Sequence, residues 1–166
     1  SLIRSMNVYD FIFSCDELAF INEKQAKELE TVSVRNNDIL LNITGVSVAR
    51  CCKVPQFILP ARVNQHVMLI RPENEYYLSH YLLCLLCYSE NKAKLLGISQ
   101  SGSTREALTK VEIEELKIIK PLTKTLKLFD DNLVAMINFI EFKILENLKL
   151  TEMKNLLLSK LATIEN

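Results

Sequence analysis

Glycine and proline are scarce in this chain, at three and four positions among 166, and tryptophan is absent. That excludes collagenous and low-complexity sequences, which need glycine or proline in bulk. Charge of one sign is missing too. The 20 Lys and Arg are matched by 20 Asp and Glu, for a formal net charge of zero. The neutral sum argues at first against a nucleic-acid partner, because such domains usually carry a basic excess. Long apolar runs are also lacking. The longest, residues 81–88, has eight members, and roughly 18 are needed to span a bilayer. The opening SLIRSMNVYD is polar and does not read as a signal peptide.

What is present is a 49% hydrophobic chain, enough for one globular domain with an appended element. The five Cys, an odd number, do not form a disulfide framework in a chain able to bury its own core. Free thiols fit a reducing compartment, so the expected location is cytoplasmic.

The periodicity sets the expected elements. Residues 18–30 suggest a short surface helix. Residues 37–44 (NDILLNIT), 46–54 and 63–70 read as strands, separated by Gly45 and ended by Pro55 and Pro72. Residues 74–96 change to helical spacing, with Asn74 as N-cap and Gly97 as stop. Ser103 with Glu106, and Thr109 with Glu112, have capping-box spacing. Residues 116–120 read as a last strand before Pro121.

From Leu122 onward there is neither Gly nor Pro. Leu126, Leu133, Ile137, Ile140, Ile144 and Leu148 recur at spacings near three and four, and Met153, Leu157, Leu161 and Ile164 continue after a shift. About 40 helical residues would reach about 60 Å. A stripe that long predicts coiled-coil-like pairing with another helix. The expected fold is therefore α+β. A small mixed or antiparallel twisted sheet with flanking helices occupies 1–121, and a long helix occupies 122–166.

The zero net charge hides an uneven distribution. Residues 1–30 hold three Lys/Arg and six Asp/Glu, whereas residues 31–110 hold nine and five. All six Arg precede the long helix. Arg is the side chain best matched to phosphate oxygens and to a guanine edge. Ordinary surface scatter would give the same counts.

Enzyme motifs are lacking: there is no GxGxxG, P-loop, HExxH or GxSxG. His66 and His80, each in an apolar stretch, read as structural or surface residues. Cys84 and Cys87 form a CxxC inside an apolar helix, not on the turn that a zinc site needs, so no metal is expected. The best local candidate is the polar loop 99–105 (SQSGSTR). Gly102 permits close backbone approach, Ser101, Ser103 and Thr104 offer hydroxyls, and Arg105 adds charge. The same loop also fits a plain helix cap.

Three blocks carry a resemblance. NDILLNITGVSVARCCKVP, then PARVNQHVMLIRP, then SGSTREALTKVEIEELKIIKP resemble the target-recognition domain of type I restriction–modification specificity subunits. The helix ending KNLLLSKLA is similar to the helical spacer after such a domain. The likeness runs from about Ile3 to Ala162.

It implies a non-catalytic reader of one half of a split target in double-stranded DNA. The implied partners are methyltransferase subunits, a restriction subunit, and a second recognition half or a second copy. No cofactor is expected on this chain; S-adenosylmethionine belongs to the methyltransferase. One recognition domain and one helix make half of a full subunit, and the usual segment before Ile3-Arg4-Ser5 is missing. The chain is then expected to be a half-length subunit or a fragment. Gly45, Asn64, Gln65, His66 and Pro72 match recurrent positions that hold the fold.

On this reading Arg4, Asn42, Thr44, Ser47, Arg50, Ser101, Gly102, Ser103, Thr104 and Arg105 face DNA. The stripe Leu126, Leu133, Ile137, Ile140, Ile144, Leu148, Leu157 and Leu161 pairs with another helix. The rival expectation is a helix-mediated interaction adaptor with no DNA role.

Overall fold

The computed structural model of the chain describes residues 1–72, 76–100 and 106–164. It has an α+β fold. The first strand, β1 (Leu2–Ile3), is followed by the short helix α1 (Glu23–Glu28). Strands β2 (Ile39–Asn42), β3 (Cys51–Lys53), β4 (Arg62–Val63) and β5 (Val67–Ile70) come next. Helices α2 (Tyr76–Cys87), α3 (Ser89–Gln100) and α4 (Lys110–Glu114) lead to the long α5 (Thr123–Ile164).

β2 is the centre of an antiparallel sheet ordered β3-β2-β5, with Leu40 opposite Cys52 and Leu69. A separate parallel pair joins β1 to β4. The run Ile39-Leu40-Leu41 does not alternate in polarity because β2 is buried on both faces. Leu40 points into one apolar cluster with Ile3, Val8, Phe13 and Val63. Ile39 and Leu41 point into a second with Leu83, Leu86, Leu95 and Ile137. Cys52 and Cys51 divide between the two clusters in the same way. Burial pushes both thiols well above the ordinary range, so they behave as small hydrophobes.

Several expected elements are shorter than their patterns suggested. The helix expected over 18–30 is confined to α1, capped by Asn22, whose Oδ1 accepts from Gln25 N at 2.9 Å. Residues 46–54 hold only the three-residue β3, because Gly45–Ser47 folds as a 3-10 turn. Of 63–70, the middle is a turn shaped by Asn64, whose Oδ1 accepts from His66 N at 3.1 Å. The single helix expected from 74 to 96 is two helices broken at Tyr88. There Asn91 Nδ2 bonds the Leu85 carbonyl at 2.9 Å and so satisfies the end of α2.

Gly97 lies inside α3 and is not a stop, and Asn74 lies outside the described residues. Thr109 and Glu112 do form a capping box at α4, and the Thr109 hydrogen bonds hold the Glu112 carboxyl below its usual range. The Ser103 cap lies outside the described residues. No strand forms over 116–120. Leu116 and Ile118 instead line an open groove together with Met68, Leu69 and Ile70 of β5.

The 42 residues of α5 span about 63 Å. Its first half packs within the chain. Leu126 is fully buried, Ile137 is 7% exposed, and Leu133, Ile140, Ile144 and Leu148 are half-buried. Asp130 Oδ1 lies 2.5 Å from His80 Nδ1 of α2, both side chains buried, so His80 serves the fold. Glu141 accepts from Gln56 N at 2.6 Å and meets Lys53 Nζ at 3.7 Å, tying α5 to the β3 edge. From Lys149 to Ala162 every position is exposed. Among the described residues no helix is long and apolar enough to cross a membrane.

Candidate nucleic-acid interface

The turn between β2 and β3 builds one end of the sheet. Gly45 has φ +73°, which glycine adopts without a Cβ penalty, and it opens a turn whose tip, Val46, is 99% exposed. Ala49, fully buried, takes φ +64° and is held there by donating to Asn42 O at 2.9 Å. A non-glycine residue in that region costs about 1 kcal/mol or more, and its surroundings must enforce it.

The residues that flank 101–105, Ser99 and Gln100 on one side and Glu106 and Ala107 on the other, arrive at the same place. Gly45 N donates to Glu106 O at 2.9 Å, and Thr44 bridges Ala107. Ala107 N donates to Ser99 O at 3.3 Å, and Gln100 Nε2 donates to Glu106 Oε1 at 3.3 Å. The β4–β5 turn contributes His66, whose Nδ1 is hydrogen-bonded to Thr44 Oγ1 at 2.7 Å, and the exposed Gln65. Segments some 60 residues apart in sequence, Thr44–Gly45 and Glu106–Ala107, therefore meet at one sheet end.

The predicted DNA-facing residues divide. Thr44, Ser47 and Arg50 are half-exposed at this end. Asn42 is not available: it is fully buried, and its Nδ2 donates to Ser5 O at 2.8 Å and Ser47 Oγ at 3.1 Å. Its amide nitrogen is thus engaged within the chain and its Oδ1 is buried without a hydrogen-bond partner among the described residues, so Asn42 holds the turn from inside. Arg4 is also spent on the fold, since its guanidinium donates to the Glu17 carbonyl. Ser101, Gly102, Ser103, Thr104 and Arg105 lie outside the described residues.

Two contributors were not picked out by sequence reasoning. Tyr9 is 43% exposed beneath Arg50, whose guanidinium carbon lies 4.8 Å from the ring centroid. His66, expected to hold the fold, is half-exposed at the rim. No local pattern marked Tyr9, because its partner lies 41 residues away.

The basic excess of residues 31–110 is largely neutralised in three dimensions. Arg71 forms a bidentate pair with the buried Asp38, at 2.6 and 2.5 Å, which holds the guanidinium firmly charged. Arg62 pairs with Glu30, Lys92 with Asp10 and Lys53 with Glu141. Among the described residues, no group of three or more His, Cys, Asp or Glu could hold a metal ion.

The helix stripe also divides. Six of the eight residues expected to pair with another helix (Leu126, Leu133, Ile137, Ile140, Ile144 and Leu148) face this chain's own core. At 100° per residue, Leu128, Phe139, Phe142, Leu150, Met153 and Leu157 fall on nearly the opposite side, and all are exposed. Leu161 is exposed beside them. The apparent shift after Leu148 is therefore a change of face: α5 is apolar on two sides.

No protein-family model matches the chain, and no curated protein matches it.

Proposed function

We propose that the chain is a non-catalytic, sequence-specific DNA reader of the type I specificity-subunit kind. The observation that carries this reading is the meeting of the Gly45–Ser47 turn with Glu106 and Ala107, the residues that follow 101–105, on one sheet end. Hydroxyls, an amide, an imidazole and an arginine lie together there, which is the mixture that reads base edges in a major groove. The long helix supports the second part of the reading. Its outward apolar face pairs with a counterpart helix, and the pair fixes the distance between two reading ends and docks methyltransferase subunits. Those subunits carry S-adenosylmethionine and the chemistry, and a restriction subunit joins the complex in the cytoplasm.

The test is selection of bound sequences from a random duplex pool by the full chain, with and without a methyltransferase subunit. A split motif is the expected result. Enrichment no better than that of a neutral control protein would remove the DNA role.

The adaptor reading is favoured by one observation, the exposed leucine-rich face of residues 150–161. An adaptor retains its helix partner but enriches no DNA motif.

A further inference from the structure

Arg50 differs from Arg4, Arg62 and Arg71. Arg4, Arg62 and Arg71 are each fixed by hydrogen bonds to carbonyls or carboxylates of the chain. Arg50 has no acidic partner among the described residues. Its one side-chain contact of note is the face of Tyr9.

That contact is not mobile at its base. Arg50 N donates to Ser47 O at 3.2 Å, and its carbonyl accepts from Asn42 N at 2.9 Å. The neighbours on either side, Ala49 and Cys51, are fully buried, and Ala49 is locked in the left-handed region. Strained backbone of this kind concentrates where a side chain must be aimed. Tyr9 is fixed in turn: its N–H donates to Ile12 O at 3.0 Å, and the next turn residue, Phe11, donates to Cys51 O at 2.9 Å.

A guanidinium held over an aromatic ring by cation–π attraction keeps N–H groups free for a second partner. Such groups match either two phosphate oxygens or the O6 and N7 of guanine. The surroundings favour guanine. Phosphate-tracking surfaces gather several cations, whereas Lys92 and Arg71 are neutralised by their own acids. The polar groups at the same sheet end are Ser47 and Thr44 of the β2–β3 turn and Gln65 and His66 of the β4–β5 turn, which suit base edges.

We propose that Arg50 reads the O6/N7 edge of a guanine in one half of the target, with Tyr9 as its positioning residue. This rests on the DNA-reading function above, and its failure can be told apart from the failure of that function.

The experiment is parallel pool selection and titration with the wild-type chain, Arg50→Ala, Arg50→Lys, Tyr9→Phe and Tyr9→Leu, each first shown to melt like the wild type. The wild type enriches an invariant G at one position. Arg50→Ala loses the preference at that position alone and weakens the selected site roughly ten- to a hundred-fold. Arg50→Lys keeps part of the affinity with less preference for G, Tyr9→Phe matches the wild type, and Tyr9→Leu falls between. An unchanged motif with equal weakening on all sequences, and a salt slope lower by about one, makes Arg50 a phosphate clamp and overturns the inference while the DNA role stands. No enrichment by the wild type overturns both.

Discussion

Asn42 and Arg50 face each other across the end of the β2–β3 hairpin, and their fates differ. The Asn42 amide is wholly enclosed and bonded to Ser5 and Ser47, while the Arg50 head lies against Tyr9 at the surface. Asn42→Ala is therefore expected to lower stability by about 2 kcal/mol, because the Ser5 carbonyl loses its donor and a buried side chain is removed. Urea denaturation should show a shifted midpoint, and the bases selected from a random pool should not change. The sequence could not separate the two residues. An asparagine ending the run ILLN looks the same whether the chain folds over it or leaves it open, and what covers it is Ser5, 37 residues earlier. The thiols were partly legible: apolar neighbours indicated packing for Cys84 and Cys87, which are half-buried, whereas the fully buried pair is Cys51 and Cys52.

At the scale of elements, periodicity located the buried strand β2, the helices and the uninterrupted α5, because hydrophobic spacing reflects local geometry directly. It did not locate the break at Tyr88, which depends on one side chain capping a carbonyl. It also could not tell which apolar face of α5 turns inward, since that choice belongs to the partner surface. The two faces predict opposite mutant behaviour. Ile137→Ala should destabilise the fold by about 2–4 kcal/mol by opening a cavity against α2 and the sheet. Leu157→Glu, at a position 61% exposed, should leave the denaturation midpoint alone and weaken self-association. Sedimentation equilibrium of both variants checks the pair. A wild-type chain that stays monomeric at high concentration would count against helix pairing.

Across the whole molecule, the charges balance through folding as well as in the sum. Glu30 and Asp10 from the acidic opening segment, and Glu141 from the long helix, each neutralise a cation of the central stretch. The segment totals were legible in the sequence, but these pairings were not, since they link residues 32 to 88 positions apart. Among the described residues of that stretch, Arg35, Arg50 and Lys94 remain without an acidic partner, a modest field. The chain alone should therefore show a shallow salt dependence, with log K falling against log salt at a slope of about −2 to −4. A filter-binding titration over several salt concentrations measures it, and a slope near −8 would mean that a far larger basic surface meets the DNA.

The overhang of α5 past Leu148 sets a mechanical tolerance. Fourteen solvent-exposed residues, 149–162, make a projecting rod of about 21 Å. Clamped at its base by Asp130 and Glu141, such a rod moves its tip by about 3.4 Å, one base step, when it tilts by roughly 9°. If the chain reads a split target as proposed, a ruler built from two of these rods would stay accurate to a single base pair only while they brace each other, so bracing and measuring would be one property of the same leucines.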